Sequence, residues 1–467
     1  MKKSLCIILI AATLLAFAAC GQTNSPPAAG TDAASTAPAS PAATPDQAPA
    51  GEPVEVVFWD MQVGNDKYPD FAAKYAANIT KDYPNITIKY QSIPWVNSMP
   101  TFTAAIAAGD GPDFSNGGGF QSFQFYKMNE LLDLAPVIEN WRENGVLEQY
   151  DPALIEYFQV DNVQVGVPTG LQPRMFIYRK DWFDAAGIPA PKTWDDLYNA
   201  AKHFTDPAKG VFGLVYPCAA VDGNVLFYSW FASNGTGIWK KDGSTVDWAN
   251  PANIEVVDFI RKLNKEGLVP GGMSSYTNAD IVRLTSQDKA AMAIIPSGAS
   301  GGQIANATGG YGKWALLPTP AGPSANGNNG NISAMNAYMA YKQTDHPEET
   351  LQALQWWADN FLPLLSNKDI GIGDVPPRMD WQADSNYLDN MADPFMRELL
   401  KGGYLKQNHL LVYPANNISN WLVMNAINGE SWGTKLSQAI LTSDTPAREL
   451  LMERQKESEK LFNDFAK

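Results

Sequence analysis

Six tryptophans stand beside polar or glycine-rich stretches of the chain instead of inside apolar runs. They are Trp59, Trp95, Trp230, Trp381, Trp421 and Trp432. A single tryptophan is most often a core residue, because its large indole buries much apolar surface. As a set, these six indicate a cleft with flat apolar walls and polar rims. A sugar suits such a cleft, since its C–H face stacks on an indole while its hydroxyl groups hydrogen-bond to polar side chains.

The residues that catalysis or metal binding would need are sparse. The three histidines, at positions 203, 346 and 409, form no metal-spaced cluster, and no nucleophile elbow is present. The glycine-rich stretches 117–119 and 297–302 lack the Lys-Ser/Thr of a phosphate-binding loop, so we expect turns there. A glycoside hydrolase needs only two carboxylates, and the 49 acidic residues leave that alternative open. We expect a binding protein with no cofactor and no metal, and not an enzyme.

The charge balance restricts the partners. Lysine and arginine number 34 against 49 acidic residues, which gives a net charge of −15. Nucleic acids and anionic surfaces call for basic patches, so we expect neither as the main partner. A cationic ligand such as a polyamine would suit the acidic charge and an aromatic cage, and it remains an alternative to a neutral sugar.

The N-terminus has the pattern of a secretory signal. Lys2 and Lys3 precede an apolar run over 5–19 that is shorter than the ~20 residues of a membrane span. "FAAC" at 17–20 resembles a bacterial lipobox, which implies a signal peptide over 1–19 and a lipidated Cys20, with palmitate among the added chains. An ordinary signal peptide that is cleaved elsewhere is the alternative.

Residues 20–52 are predicted to be a tether. From 23 to 52 the chain has no aromatic residue and no Leu, Ile or Val, so it cannot bury enough apolar surface to offset the entropy of ordering. The remaining body contains Cys218 as its one cysteine, and therefore no internal disulfide. We expect Cys218 to be a small buried apolar residue.

The first half of the body alternates strands with helices. The runs 54–60 and 86–94 predict strands, and the segments that follow them predict helices, the second of which ends near Gly109. This order is typical of a parallel sheet covered by helices. Such sheets bind ligands beyond the carboxyl ends of their strands, where Trp59 and Asp60 lie.

The middle of the chain carries local start and stop signals that belong to the scaffold. "FIYRKDWFDAAGIPAPKTWDDL" (176–197) predicts a strand, a short helix that ends at Gly187, and a new helix capped by Thr193 with Asp196 as in a capping box. The stretch 237–248 predicts a hairpin. Three later helices are predicted at Asn250-Pro251, His346-Pro347 and Thr445-Pro446.

Further motifs point to one family. They are "TAAIAAGDGPDF" (103–114), the stretch 176–197, "DKAAMAIIPSGASGG" (288–302), "WALLPTPAG" (314–322), "HPEETLQALQWW" (346–357), "VPPRMD" (375–380) and "TPARELLMERQKESEKLF" (445–462). In this order, behind a lipobox, they resemble the family 1 extracellular solute-binding proteins of ABC importers, the class of maltose-binding protein. The resemblance covers essentially all of residues 53–467.

The resemblance implies an α/β fold of the periplasmic-binding-protein type II, with two hinged lobes and the ligand between them. Carried over, lobe 1 comprises 53–167 plus 316–372, and lobe 2 comprises 168–315 plus 373–467. The chain would cross between them near 165–170, 313–320 and 371–377. The resemblance further implies that a carbohydrate, expected to be an oligosaccharide, is captured by hinge closure and delivered to the permease subunits of the transporter, without catalysis.

The resemblance and the strand ends together give the candidate ligand-binding residues. They are Trp59, Asp60, Trp95, Asn116, Gly117, Gln172, Arg174, Trp230, Ser297, Ser300, Asn331, Arg378 and Trp381. The tryptophans would stack and the polar residues would hydrogen-bond. Many relatives carry a tryptophan where Ala299 and Ser300 stand, so the usual ligand pose does not transfer. We expect a monomer anchored through Cys20 to the outer face of the cell membrane; binding of an osmolyte or a peptide, or glycan capture for a surface enzyme, are the alternatives.

Overall fold

The computed structural model describes residues 51–465, apart from 62, 96–97, 241–243, 297–298, 310–311, 371–372, 392, 403–408, 412–422, 425 and 428–430. The predicted signal peptide, Cys20 and nearly all of the tether lie outside the described residues, as do Ser297 and Trp421. The described residues belong to one compact unit. Within them, no helix combines the length and the apolarity that crossing a membrane requires.

The described strands form one large mixed sheet and a small hairpin. They are β1 (Val54–Met61), β2 (Ile86–Ile93), β3 (Phe114–Gly118), β4 (Gln159–Val160), β5 (Val163–Gln164), β6 (Val167–Arg179), β7 (Phe212–Val215), β8 (Ala290–Pro296), β9 (Trp314–Leu317), β10 (Gly330–Ala340) and β11 (His409–Leu411). The order in the large sheet is β2-β1-β3-β10-β6-β8-β7, with β11 beside β10 and β9 beside β6. β1 is parallel to β2 and to β3, as the sequence predicted.

Helices cover this sheet. They are α1 (Tyr68–Ala76), α2 (Ser98–Ala108), α3 (Gly119–Lys127), α4 (Ala135–Glu143), α5 (Pro152–Tyr157), α6 (Lys180–Ala186), α7 (Trp194–Phe204), α8 (Ala220–Ser233), α9 (Pro251–Lys265), α10 (Asn278–Ser286), α11 (Ala299–Ala307), α12 (Pro347–Asn360), α13 (Met379–Ala383), α14 (Ser385–Asn390), α15 (Pro394–Lys401), α16 (Trp432–Thr442) and α17 (Ala447–Phe465). Three of them begin at or directly after the predicted prolines, at Pro251, Pro347 and Ala447.

The predicted local signals are confirmed. Thr193 accepts a hydrogen bond from the backbone N–H of Asp196 at 3.2 Å, and Asp196 accepts one from the N–H of Thr193 at 3.0 Å, which completes the capping box of α7. Gly187 ends α6 with a φ of 67°, a conformation that favours glycine. The side chain of Asn250 caps α9 by accepting from the N–H of Asn253 at 2.9 Å.

The glycine-rich stretches 117–119 and 299–302 are not turns, so that prediction was wrong. The first stretch ends β3 and begins α3, and the second forms the first turn of α11. Gly119 is needed for close packing, because a Cβ there would lie 2.8 Å from Phe158 and 2.9 Å from the carbonyl oxygen of Met335. A run of glycines does not distinguish such contacts from a change of chain direction.

Two long strands connect the two ends of the large sheet. β6 has 13 residues: Val167 to Pro173 pair with β10, and Arg174 to Arg179 lie within its pairing with β8 and β9. β10 in turn pairs with β3. An isolated bridge between Leu171 and Val375 adds a third connection at the middle of β6.

A β-bulge lies in the middle of this pair of strands. The register shifts between Asn336 and Ala337 of β10, which pair with Gly170 and Pro168 of β6. Thr169 therefore has no opposite residue in the β6–β10 ladder. Bulges of this kind bend a strand and change the direction of a side chain, and this one lies where β6 passes from one end of the sheet to the other.

Candidate functional site

The end of β1 directs Trp59 and Asp60 to opposite faces of the sheet, because side chains alternate along a strand. Trp59 is buried and meets Phe102 of α2 edge-on, with the ring centroids 5.2 Å apart. Asp60 is 0% exposed. Its burial leaves no surface for a ligand in this conformation, so the prediction that Asp60 contacts the ligand directly is corrected.

Neutral donors surround the Asp60 carboxylate. Oδ2 accepts from the hydroxyls of Tyr68 at 2.7 Å and Tyr90 at 3.1 Å, and Oδ1 accepts from Nδ2 of Asn116 at 3.0 Å. Burial raises the pKa of Asp60 to about 6, although these hydrogen bonds act to lower it. Asp60 is thus hydrogen-bonded to Asn116, which is itself a predicted site residue.

The residues that follow Asn116 create a second buried polar group. The carboxamide of Gln121, in the first turn of α3, occupies the space that a side chain at Gly117 would need. Gln121 is completely buried, and neither of its amide atoms has a hydrogen-bond partner within the described structure. Gly117 thus admits Gln121, a residue that the sequence analysis missed because nothing in its spacing distinguishes it from a helix-surface glutamine.

Gln172 and Arg174, in the middle of β6, lie near Asp374. Nε2 of Gln172 donates to Oδ2 of Asp374 at 3.0 Å, and burial raises the pKa of Asp374 to about 6. Arg174 is 5% exposed; its Nη1 lies 3.4 Å from the carbonyl oxygen of Gln172, and its Nε has no partner among the described residues. Gly170 leaves room for Asp374, since a Cβ at 170 would lie 3.1 Å from that of Asp374.

Asn331 and Ser300 are buried and already hydrogen-bonded. Nδ2 of Asn331 donates to the carbonyl oxygen of Arg174, and its Oδ1 accepts from the N–H of Ile332 at 2.8 Å. Ser300 accepts from Nδ2 of Asn278 at 2.8 Å. Asn331 therefore fixes the backbone that carries Arg174, and Ser300 ties α11 to α10.

Trp381 and Arg378 form a stacked group at the start of α13. The Trp381 ring lies parallel to Tyr387, with centroids 5.7 Å apart and 9° between the planes. The Arg378 guanidinium lies 4.3 Å from the centroid of Trp381 and donates to both carboxylate oxygens of Asp380, at 3.0 and 2.6 Å. The guanidinium of Arg378 is thus already bonded to the nearby carboxylate of Asp380, whereas Trp381 offers a partly buried aromatic surface.

The remaining predicted tryptophans divide between core and surface. Trp230 is 0% exposed and meets Phe176, Tyr216 and Trp194 edge-on, with centroids 5.4 to 6.0 Å apart. It is a core residue with no face left for a ligand, which corrects its predicted stacking role. Trp432 is likewise buried, whereas Trp95 is 39% exposed.

The structure joins the predicted residues into two groups along β6. Asp60 and Asn116 reach the bulge, where Oγ1 of Thr169 lies 3.5 Å from Oδ1 of Asn116. Gln172 and Arg174 meet Asp374. Thr169 and Asp374 could not be found from the sequence, because their contacts with Asn116 and Gln172 join distant parts of the chain. Gln121 and Tyr387 lie against residues close in sequence, but no spacing pattern distinguishes them from ordinary helix residues. Among the residues described, no group of His, Cys, Asp or Glu is arranged to hold a metal ion.

A family model described as bacterial extracellular solute-binding protein matches residues 64–360. A Brucella abortus protein with the general description of a binding protein is 24% identical over 274 residues, which are 58% of this chain and 64% of that protein. The arabinooligosaccharide-binding protein of Halalkalibacterium halodurans is 22% identical over 74% of this chain and 78% of its own length. The chain thus spans slightly less than two thirds of the first of these relatives.

Solved structures share the fold. A sugar transporter protein of Arthrobacter chlorophenolicus with bound laminaribiose has a TM-score of 0.74 and 26% identity, over 87% of this chain and 99% of that one. Maltose-bound MalE3 of T. maritima has a TM-score of 0.69 and 20% identity, over the same shares of the two chains. These similarities confirm the predicted α/β fold with two lobes of type II.

Proposed function

This chain belongs to the bacterial extracellular solute-binding protein family, and from that premise we propose that it is the binding component of an ABC importer for a carbohydrate. It captures an oligosaccharide between its two lobes and delivers it to the permease subunits in the membrane. Related proteins are described as binding arabinooligosaccharides and galactooligosaccharides, and a structural neighbour holds laminaribiose. The family consists of binding proteins, and we assign no catalysed reaction to this member.

The observation that carries the proposal is the group formed by Gln172, Arg174 and Asp374. A sugar hydroxyl both donates and accepts, so a site for it needs groups of both kinds. The Arg174 guanidinium only donates, the ionised Asp374 carboxylate only accepts, and the carboxamide of Gln172 does both. Arg174 is buried with an unpaired Nε, which costs free energy unless a ligand supplies the missing acceptor.

Charge and shape support a neutral sugar. Arg174 and the ionised Asp374 carry opposite charges, so the net charge of the group is close to zero. Such a group favours a neutral ligand over a cation or an anion. Trp381, stacked on Tyr387, provides a flat apolar surface of the kind on which a pyranose C–H face packs. Burial raises the pKa of the Tyr387 hydroxyl, and the nearby Asp374 carboxylate raises it further.

The strand arrangement supports hinge closure. The family pattern gives lobe 1 as 53–167 plus 316–372 and lobe 2 as 168–315 plus 373–467, and we move residues 316–329 from lobe 1 to lobe 2. β9 pairs with the end of β6, which lies in lobe 2, whereas β10 reaches from β6 to β3. We therefore assign the second crossing to 330–340 instead of 313–320. A ligand that contacts both lobes binds the closed form better and shifts the population to it.

We assign the N-terminal segment to anchoring. Cleavage before Cys20 and lipidation of its thiol would hold the protein on the outer face of the cell membrane. Stable attachment needs more than one acyl chain, and lipoprotein processing adds more than one. The segment 20–52 would then serve as a tether that lets a monomeric body reach the permease. Palmitate release from the purified protein, lost in Cys20→Ala, tests this assignment.

Thermal unfolding of the full chain against a panel of neutral mono- and oligosaccharides, with polyamines and betaine alongside, tests the proposed function. A sugar at 100 times its Kd should add ~2.7 kcal/mol to the free energy of unfolding. The shift should disappear in Trp381→Ala and persist in Trp182→Ala, a partly buried tryptophan of α6 outside the candidate site, if stacking on Trp381 carries the ligand. A shift with a polyamine or betaine and with no sugar would overturn the ligand class, and release of shorter sugars would show an enzyme.

A further inference from the structure

The buried carboxylate of Asp60 lies at the carboxyl end of β1, and β3 and β10 separate β1 from β6 in the sheet. In the β1–β3 register, Asp60 pairs with Asn116, one side-chain layer beyond the pair Phe58 and Phe114, whose rings stack 4.2 Å apart. Asp60 and Asn116 therefore form the polar end of an otherwise apolar layer. Beyond Asn116 comes Thr169 of β6, the bulge residue.

The Asp60 carboxylate has no cationic partner to explain its burial. Tyr68 of α1 and Tyr90 of β2 donate to it, Asn116 of β3 donates to it, and Tyr338 of β10 is the other titratable group that faces it. Among the described residues, no lysine, arginine or histidine forms an ion pair with it. An unpaired buried charge is expensive, so its retention at this place calls for a role other than stability.

That role is visible in the Asn116 side chain. An amide can present either its N–H or its C=O toward a given neighbour, and the two faces differ only by a rotation. The ionised carboxylate accepts only, so it fixes Nδ2 of Asn116 toward Asp60 and leaves Oδ1 directed at Thr169. A protonated Asp60 could donate to the amide oxygen instead and would remove this constraint.

We propose that Asp60 is a positioning residue of the ligand site. Its ionised carboxylate fixes the orientation of the Asn116 amide between β3 and the bulge residue Thr169 of β6. This inference rests on the proposed function where it concerns sugar affinity, and it adds Asn116, a candidate ligand residue from the sequence, to the proposed site. Its consequence is that sugar capture weakens as Asp60 is protonated. The loss should be roughly fivefold, the difference between a typical hydrogen bond to a charged group and one to a neutral group.

The first measurement needs no sugar. In NMR spectra of the full chain, the Asn116 side-chain amide, assigned by its absence in Asn116→Ala, should shift with a midpoint near pH 6. The shift should be absent in Asp60→Asn, which keeps the size and cannot ionise. Tyr90→Phe removes one donor to the ionised form and should move the midpoint to higher pH. A pH-independent Asn116 signal, or an equal shift in Asp60→Asn, would overturn the proposal.

The second measurement uses laminaribiose, a galactooligosaccharide and an arabinooligosaccharide in calorimetric titrations at pH 5 and pH 7.5. Whichever sugar binds should lose about fivefold more affinity between pH 7.5 and pH 5 in the wild type than in Asp60→Asn, which keeps only the pH dependence that Asp374 contributes. Ser115→Ala, next to Asn116 but bonded to Tyr341 on the opposite face, should keep the wild-type ratio. An equal ratio in wild type and Asp60→Asn contradicts the inference; no binding of any sugar at pH 7.5 contradicts the proposed function, and the NMR titration alone then decides.

Discussion

The carboxylate of Asp393 lies directly on the backbone of Gly301: a Cβ at position 301 would be 2.6 Å from Oδ2 and closer still to Oδ1. The same carboxylate accepts from the N–H groups of Phe395 and Met396 at the start of α15, at 2.8 and 3.3 Å. One fully buried side chain thus begins α15 and packs against the first turn of α11. This contact lies directly after the Ala299-Ser300 pair in the chain.

Gly301→Ala should destabilise the protein. On helix propensity alone, alanine would add about 1 kcal/mol of stability in α11. The new methyl group would displace the buried Asp393 carboxylate, and overpacking of this kind costs about 1–3 kcal/mol. We therefore expect a lower Tm in thermal unfolding. Gly237→Ala, where a Cβ meets nothing within 4 Å, is the matched control and should leave the Tm nearly unchanged; an equal or higher Tm for Gly301→Ala would contradict the contact.

Trp230→Ala should reduce stability by about 3–5 kcal/mol, because it empties a site in the core beside Phe176 and Trp194. Denaturant unfolding at 25 °C measures this loss as a shift of the midpoint. The sugar affinity of the molecules that remain folded should change little, since the indole has no exposed face. A variant with wild-type stability and abolished sugar binding would restore the stacking role that the sequence suggested.

Gln172→Ala should weaken sugar binding by tenfold or more while leaving the fold intact. The substitution removes a carboxamide that a sugar hydroxyl would bond, and it also removes the donor that holds the Asp374 carboxylate in place. Loss of a hydrogen bond in a site with a charged group typically costs about 1.5–3 kcal/mol. Calorimetric titration with the sugar identified by thermal shift measures the effect. Gln438→Ala, whose exposed side chain bonds the carbonyl oxygen of Ser274, is the control and should bind as the wild type does.

Asp60→Asn should become more stable relative to the wild type as the pH rises. Burial raises the pKa of folded Asp60 to about 6, above the ordinary value of 3.8 that applies to the unfolded chain. Folding therefore favours the neutral carboxyl group of Asp60. The stability that the wild type gains from this group is complete below about pH 4 and is lost as the pH rises through about 6. The difference in unfolding free energy should grow by up to about 3 kcal/mol between pH 4 and pH 7.

Denaturant unfolding at several pH values measures this difference. Asp184→Asn, which alters an exposed carboxylate paired with Lys180, should differ from the wild type by no more than about 0.5 kcal/mol. A constant difference between Asp60→Asn and the wild type from pH 4 to pH 7 would show that Asp60 has an ordinary pKa in the folded protein.

Local features of the sequence determined the elements and their order. The capping box at Thr193, the stop at Gly187 and the Asn250 cap act over three or four residues, so each could be read without knowing the rest of the fold. The alternation of strands with helices likewise predicted the parallel pairing of β1 with β2 and β3. Together with the family motifs, these signals were enough for the two-lobed α/β fold.

The tertiary structure decided what each candidate side chain does. Periodicity placed Asp60 at a strand end, but only the approach of Tyr68 and Tyr90 from other elements buries it. Trp230 stood beside polar residues in the chain and lies among aromatic rings in the fold. Gln172 meets Asp374 across 202 positions, a distance over which no spacing rule applies. Burial and pairing are properties of neighbours in space, so the sequence named the candidates and only the packing of distant segments assigned their roles.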